Sequence, residues 1–188
     1  MEEQLKKYFS RYALLSEAEL NMLVSVMEYK PYERREHLLE QGAVCRYKYF
    51  ILKGLVRSYY IDNTGKEKIT LFAIENWWVT QMESFVHESP SRLYIQAIEP
   101  TETARVRKED LEALYVSAPK FERIFRIIVQ NMLIAIQRRN DFYMQMGAKD
   151  RYLNLVQRFP GFAQRVPQYM LASYLDISPE HLSTIRKT

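Results

Sequence analysis

The spacing of apolar residues along the chain changes twice, from helical to strand-like and back to helical. Ser16 and Glu19 have the positions of a capping box, which marks the start of a helix. Behind them, apolar residues recur at helical intervals: Leu20, Leu23, Val24 and Met27. This pattern predicts a short helix that ends before Lys30-Pro31.

Residues 32–106 contain short runs of the kind found in β-strands. The clearest runs are 47–52, 55–61, 68–73 and 92–98. Turn signals separate the runs, and Asp62-Asn63-Thr64-Gly65 is the clearest hairpin turn among them. Several short strands with a turn every ~8 to 12 residues predict a β-barrel or a sandwich.

Helical spacing returns after residue 106. Residues 108–116 predict a short helix, and Pro119 opens a longer one that runs to Gly147. Within the longer helix, intervals of four and three alternate between eight residues: Phe121, Phe125, Ile128, Met132, Ala135, Arg139, Phe142 and Met146. This heptad pattern is typical of a helix that pairs with another helix.

The long helix has two interpretations. It could lie on its own domain, but about 27 residues span roughly 40 Å at 1.5 Å per residue, which exceeds one small domain. We therefore favour a helix that joins two copies of the chain. Arg139 is the polar exception in the heptad, and we expect it at the edge of the seam or beside a polar partner.

Three shorter helical segments follow, at 149–159, at 168–175 and from Pro179 to the end. Only Asp176-Ile177-Ser178 joins the last two, which is the spacing of a helix-turn-helix. Ser178 and Pro179 suit the N-cap and first turn of the second helix, and the small Ala172 lets the helices approach. Five apolar residues can close their core: Leu171, Leu175, Ile177, Leu182 and Ile185.

The outward face of the last helix is polar and basic. We expect seven residues to contact DNA there: Ser178, Pro179, Glu180, Ser183, Thr184, Arg186 and Lys187. Base edges and phosphates require hydroxyl, carboxylate and basic groups of this kind. An ordinary corner between two helices is the alternative. His181 is expected to be exposed or close to a phosphate.

The distribution of charge favours the DNA interpretation. The 188 residues are 47% hydrophobic and 27% charged, as in ordinary globular proteins. Residues 1–118 carry 16 Lys and Arg against 18 Asp and Glu, a net −2, whereas residues 119–188 carry 11 against 5, a net +6. The basic part of the chain therefore includes the predicted helix-turn-helix, although a solvated basic face would carry the same charge.

Cysteine usage and the N-terminus indicate a reducing, cytoplasmic location. Cys45 is the single cysteine, which excludes an internal disulfide and an iron-sulfur site with several cysteines from this chain. The first 15 residues lack the apolar core and cleavage site of a signal peptide. No stretch reaches the ~18 uncharged apolar residues needed to span a bilayer.

The order of these parts, and four local segments, resemble the CRP/FNR transcription regulators across essentially the whole chain. The segments are 15–20, 38–42, 49–57 and 175–183. Gly42 and Gly54 match turn glycines of the family's β-roll and would supply positive φ. The resemblance implies an α+β fold: an antiparallel β-roll sensor of the cyclic-nucleotide-binding jelly-roll type (1–118), a dimerisation helix (119–147) and a helix-turn-helix domain (148–188).

The same resemblance implies the partners. They are double-stranded DNA, a second copy of the chain, RNA polymerase and a small-molecule effector of unknown identity. The resemblance implies no catalytic residue, no metal and no bound cofactor. The wing hairpin that follows the family's recognition helix has no counterpart before Thr188, which leaves a truncated chain and a wingless variant as alternatives.

The family's phosphate-binding cassette aligns with residues 75–97, but its functional residues are missing. Thr80-Gln81 stands where the family has Gly-Glu, and Ser91-Arg92 stands where it has Arg-Ser. A strand residue displaced by one position points to the opposite face, so Arg92 does not replace the missing arginine. Without charge-assisted bonds to the phosphate, cyclic AMP is not the expected effector.

Aromatic residues in the cassette leave two interpretations. They could line an apolar effector pocket or fill the core of the roll, which we favour. If a pocket exists, we expect six residues to line it: Trp78, Gln81, Met82, Ser91, Arg92 and Tyr94.

Two other functions compete with DNA binding. A cupin-like metal oxygenase would need clustered ligands, whereas His37, His87 and His181 fall in separate segments. A ligand-binding regulatory module that acts on a protein partner without DNA would share the sensor and the long helix. Only residues 148–188 distinguish such a module from a DNA-binding regulator, and their helix-turn-helix pattern favours the regulator.

Overall fold

The computed structural model describes residues 1–187, which form nine helices and eight strands. The first part contains α1 (Glu2–Phe9), α2 (Glu17–Ser25), β1 (Glu28–Tyr32), β2 (His37–Leu39), β3 (Tyr47–Lys53), β4 (Val56–Ile61), β5 (Glu67–Ala73), β6 (Trp78–Val79), α3 (Met82–His87), β7 (Tyr94–Ala97) and β8 (Thr101–Arg107). The second part contains α4 (Lys108–Ser117), α5 (Lys120–Gln145), α6 (Ala148–Arg158), α7 (Phe162–Arg165), α8 (Gln168–Tyr174) and α9 (Pro179–Lys187).

The chain divides into two compact units. Residues 1–60 and 71–129 form the first unit, and residues 61–70 with those from 130 onward form the second. The first thus contains most of the strands, and the second contains the C-terminal helices with the tip of one hairpin. The predicted division at residues 118 and 147 stays a prediction.

The strands of the roll form two antiparallel sheets, as the jelly-roll prediction requires. One has the order β1-β8-β3-β6 and the other the order β2-β7-β4-β5. In the first, Glu28 pairs with Arg105, and β3 pairs with the other side of β8 from Tyr47 onward. The predicted α+β class with an antiparallel jelly roll is confirmed.

Helices cover the first sheet with a largely aromatic core. Phe9 of α1, Phe50 of β3 and Phe121 of α5 are completely buried. Trp78 lies with its ring centroid 5.2 Å from that of Phe50 and 5.2 Å from that of Phe125. Burial of these aromatic side chains contributes to the stability of this unit.

The start of the first predicted helix and the turn predictions are confirmed, whereas that helix ends at Ser25 and strand β1 already begins at Glu28. Ser16 and Glu19 form the capping box of α2, with reciprocal hydrogen bonds between side chain and backbone. Asp62 Oδ1 accepts hydrogen bonds from the amides of Thr64 and Lys66, which fixes the β4–β5 turn. Gly54 has φ +100°, and a Cβ there would lie 2.8 Å from the Pro100 carbonyl oxygen, so the turn requires glycine.

Helix α5 corrects the prediction of the dimer seam. Phe121 and Phe125 are buried in the core of the first unit, and Ile128 packs against that core. The heptad prediction was therefore wrong for the start of the seam, because those residues face their own domain. The large apolar side chains that are solvent-exposed on α5 are different ones: Val129, Leu133, Ile134, Ile136 and Met144. Three of them, Val129, Leu133 and Ile136, follow one another at intervals of four and three.

The second unit is helical apart from its hairpin. The predicted helices at 149–159, 168–175 and from 179 agree with α6, α8 and α9 to within one residue at each described end. The short helix α7 was not predicted. The expectation about the wing hairpin falls on Thr188, which lies outside the described residues.

Candidate nucleic-acid interface

Helices α8 and α9 form the predicted two-helix element around a small apolar core. Leu171, Leu175 and Leu182 are buried, as is Ile185, while Ile177 is half-buried. Ala172 is completely buried, which is consistent with the close approach expected there. The sequence did not indicate the other buried residues of this part of the chain: Phe162, Val166 and Met170.

The turn between the helices is fixed by local hydrogen bonds. Asp176 has φ +54°, a left-handed conformation that Asp tolerates better than most residues. The amide of Ile177 donates to the Ala172 carbonyl over 3.0 Å. The Ser178 hydroxyl accepts from the amide of His181 over 3.1 Å, so Ser178 is the N-cap that the sequence predicts for α9.

Most of the seven residues predicted to contact DNA lie at the surface. Ser183 is half-buried, and six are exposed: Ser178, Pro179, Glu180, Thr184, Arg186 and Lys187. The buried stripe of α9 consists of Leu182 and Ile185. The helix thus separates an apolar inner face from a polar outer face.

The polar groups of this face offer both acceptors and cations. A hydrogen bond from its own backbone amide, and a second one from Ser178, lower the pKa of the Glu180 carboxyl, so it is an ionised acceptor at neutral pH. Thr184 Oγ1 donates to the Glu180 carbonyl over 3.1 Å. The lone pairs of the Thr184 hydroxyl oxygen therefore stay available to accept hydrogen bonds. Arg186 and Lys187 form no ion pair with any carboxylate in residues 1–187.

The cassette region of the roll is different, because its polar groups bond to one another. Gln81 caps α3 and accepts from the amide of Ser84 over 2.5 Å. The Ser84 hydroxyl accepts from the amide of Cys45 over 2.8 Å and donates to the Ser89 carbonyl. These bonds tie the start of α3 to its neighbouring loops.

Ser91 and Arg92 have opposite environments. Ser91 is buried, and its hydroxyl donates to the Leu93 carbonyl and accepts from the Leu93 amide. The Arg92 side chain is 82% exposed, and its Nη2 lies 3.9 Å from a carboxylate oxygen of Glu83. Neither side chain therefore resembles a buried arginine aimed at a phosphate.

The six residues expected around an effector are not joined by one set of described contacts. Trp78 belongs to the aromatic core below the first sheet. Tyr94 stacks on Tyr59 with ring centroids 4.9 Å apart, and the His37 ring lies 5.4 Å from Tyr94. Gln81 and Met82 lie at the start of α3 and are half-buried.

An open cavity of about 340 Å³ lies elsewhere in the first unit. Its walls come from residues 44–46, from Phe85 and Glu88 near the end of α3, and from Lys108 and Glu109 at the start of α4. Lys108 Nζ and a Glu88 carboxylate oxygen are 2.7 Å apart, and this hydrogen bond lowers the pKa of the Glu88 carboxyl. No sequence pattern indicates this cavity, because its residues come from three separate segments.

Comparison with known proteins gives consistent results. The family profile of the cyclic nucleotide-binding domain matches residues 29–118. The regulatory protein HlyX of Actinobacillus pleuropneumoniae is 25% identical over 185 residues, covering 91% of this chain and 75% of that protein. The fumarate and nitrate reduction regulatory protein of Vibrio cholerae is 26% identical, covering 91% and 72%.

Solved structures share the fold. The c-di-GMP-responsive global regulator CLP of Xanthomonas campestris has a TM-score of 0.72 and 16% identity, with 92% of this chain and 90% of that chain covered. FixK2 of Bradyrhizobium japonicum has a TM-score of 0.70 and 19% identity, with 86% and 83% covered.

Within residues 1–187, no helix is long and apolar enough to cross a membrane. The curated relatives are regulatory proteins rather than enzymes, and regulators of this family bind DNA and act as dimers. These comparisons support a DNA-binding transcription regulator of the CRP/FNR type, with a cyclic nucleotide-binding domain at residues 29–118.

Proposed function

We propose that two copies of this chain bind a pseudo-palindromic DNA duplex in a sequence-specific manner, under the control of a signal other than a cyclic nucleotide. The observation that carries the proposal is the outer face of α9, where ionised and hydroxyl side chains are exposed in one stripe. A recognition helix presents such a face to the major groove, and a two-fold dimer requires a two-fold site.

Glu180 is the first candidate for reading bases. Its carboxylate can accept a hydrogen bond from a cytosine amino group. Ser183 and Thr184, one turn further along α9, can meet base edges or phosphates. Arg186 and Lys187 are free cations near the end of the helix and suit phosphates, which hold the protein without reading sequence.

The exposed apolar stripe of α5 supports pairing with a second copy. Val129, Leu133 and Ile136 are 36%, 54% and 48% exposed. Apolar residues at alternating intervals of four and three form a seam when two helices pair. We therefore assign the dimer contact to this stripe rather than to Phe121 and Phe125.

The signal is not expected to be cyclic AMP or cyclic GMP. Gln81 and Ser91 satisfy their hydrogen bonds within their own loops, and Arg92 points into solvent. A cyclic nucleotide would have to bind in the roll without a cation beside its phosphate, so the phosphate would lack charge-assisted hydrogen bonds. We expect RNA polymerase as a further partner and the cytoplasm as the location, since a transcription regulator acts where genes are transcribed.

Selection from a pool of random duplexes tests the proposal. We expect the protein to enrich a motif with two inverted half-sites, about one helical turn apart. A mobility shift against unselected competitor DNA then measures the preference. Equal affinity for selected and random duplexes would refute sequence-specific binding and favour a module that acts on a protein partner.

A further inference from the structure

The second compact unit contains a contact between the β4–β5 hairpin and helix α8. Strand β5 is the last strand in its sheet, so one of its edges has no partner among the described strands. Ser173 of α8 lies against β5. Its hydroxyl donates to the Glu67 carbonyl over 2.9 Å and accepts from the Ile69 amide over 3.1 Å. One side chain thus makes the two hydrogen bonds that a neighbouring strand would make.

Two further contacts involve residues that follow Ser173 in the chain. Lys68 Nζ is 3.6 Å from a carboxylate oxygen of Asp176, in the turn that leads to α9. Arg139 of α5 donates to the Thr70 carbonyl, and its guanidinium lies 4.4 Å from the centre of the Tyr174 ring. The polar partner expected for Arg139 is therefore this carbonyl. Together these contacts hold the C-terminal end of α8 to the hairpin and to α5.

The contacts leave the outer face of α9 uncovered. Ser173, Tyr174 and Asp176 precede α9, whereas Glu180, Thr184 and Lys187 are exposed on α9 itself. A contact that prevented DNA binding would be expected to cover those exposed residues. The position of the contacts is therefore suited to orienting the two-helix element rather than to blocking its outer face.

We propose that Ser173 is a positioning residue that fixes this orientation and thereby sets the distance between half-sites that the dimer accepts. This inference rests on the proposed function, because spacing matters only if a dimer reads two half-sites. Helix α5 ends at Gln145 and α6 begins at Ala148, so Met146 and Gly147 form a short connection at which the element could swivel. Without the Ser173 contact, α9 would reach half-sites at several distances.

The structure of DNA makes this proposal measurable. Adding one base pair between half-sites moves the second one by about 3.4 Å along the axis and turns it by roughly one tenth of a helical turn. Two recognition helices held in fixed orientations cannot reach a half-site that is both shifted and rotated. Two helices that are free to swivel can reach it. Strictness of spacing is thus a readout that a purely local role in folding would not change.

The experiment uses duplexes with two copies of the half-site selected by the wild-type protein, separated by the selected spacing or by one or two base pairs more or fewer. We expect the affinity of the wild-type protein to fall about tenfold for each base pair added or removed. A tenfold loss corresponds to the free energy of one or two hydrogen bonds. Ser173→Ala should bind all spacings within about threefold of one another, because it lacks those bonds. Ser173→Thr keeps the hydroxyl and should retain the wild-type preference.

A second pair of variants acts on the hairpin without changing α8. Lys68→Glu places like charges beside Asp176 and should relax the spacing preference in part. Lys66→Glu makes the same charge change on the same hairpin, and Lys66 forms no ion pair within residues 1–187, so it should behave as wild type. Affinity for a duplex with a single half-site should be the same for every variant, which shows that the recognition element is still folded.

The outcomes separate the two proposals. If Ser173→Ala and Lys68→Glu keep the wild-type spacing preference, the positioning role is overturned and the proposed function stands. If Ser173→Ala loses single-half-site binding, its role lies in folding, and Lys68→Glu alone decides the question. If the wild-type protein prefers no duplex over random DNA, the proposed function fails and the positioning role fails with it.

Discussion

The cassette region around α3 and the outer face of α9 carry similar polar side chains but use them differently. Around α3, the side chains of Gln81, Ser84 and Ser91 form hydrogen bonds with backbone groups of neighbouring residues. On α9, Arg186 and Lys187 have no ion-pair partner within the described chain. A polar group that already has a hydrogen-bond partner gains little from bonding to a ligand. An exposed polar group without such a partner can bond to one. The comparison supports our proposal of a regulator that keeps the DNA-binding chemistry without the cyclic-nucleotide chemistry.

The largest expected effect tests whether the two-helix element depends on its own core. Leu171 is completely buried, and Leu171→Ala should lower the free energy of unfolding by about 2–5 kcal/mol, because it removes apolar contacts and leaves a cavity. Denaturant unfolding followed by circular dichroism measures this. Leu153→Ala on α6, where the side chain is half-exposed, is the control and should cost much less. Equal losses in the two variants would contradict the assigned core.

The next effect concerns the dimer. Leu133→Asp places a charge in the exposed stripe of α5 and should weaken the dimer by about 100-fold or more, because truncating a central apolar contact costs ≥ 2 kcal/mol and the charge would be desolvated. Light scattering over a concentration series measures the dissociation constant. Asn131→Asp adds the same charge to the same helix outside the stripe and should leave the dimer intact. A dimer unaffected by Leu133→Asp would mean that another surface joins the copies.

A smaller effect distinguishes base recognition from phosphate binding on α9. Glu180→Ala should change which base pair is preferred, by about 1–3 kcal/mol per affected pair, because the carboxylate accepts from a base. Lys187→Ala should weaken all sequences alike and lower the salt slope by about one. Mobility shifts at two salt concentrations measure both variants. An unchanged motif after Glu180→Ala would remove that residue from the reading face.

The smallest expected effect is an absence of binding in the roll. Cyclic AMP and cyclic GMP should produce no heat of binding at micromolar concentrations in calorimetry, because Ser91 offers no positive charge to the phosphate and its hydroxyl already bonds to Leu93. Micromolar affinity would show that Arg92 turns inward from its exposed position to replace the missing arginine.

The C-terminal helices could be predicted from sequence because their signals are local. Ser178 and Pro179 mark the start of α9, and the alternation of Leu171, Leu175 and Leu182 fits one small core. The short strands β2 and β6, with three and two residues, carry too few positions for a period to be visible. The same holds for α7, which has four residues.

The dimer seam and the hairpin contact show what local patterns cannot decide. A heptad pattern indicates that one face of a helix is buried, but it does not say by what. Phe121 and Phe125 are buried in their own domain rather than against a second copy. Ser173 and Glu67 are 106 residues apart, and one serine on a helix has no pattern that indicates a strand edge. Such contacts depend on how distant segments come together.

The central claim is that this regulator binds specific DNA without a cyclic nucleotide. The most direct test is the affinity of the wild-type protein for a selected, fluorescently labelled duplex, measured by anisotropy with and without millimolar cyclic AMP or cyclic GMP. We predict specific binding in the absence of either nucleotide, and an affinity that neither one changes. Specific binding that appears only when a nucleotide is added, or that a nucleotide strengthens tenfold, would contradict the account.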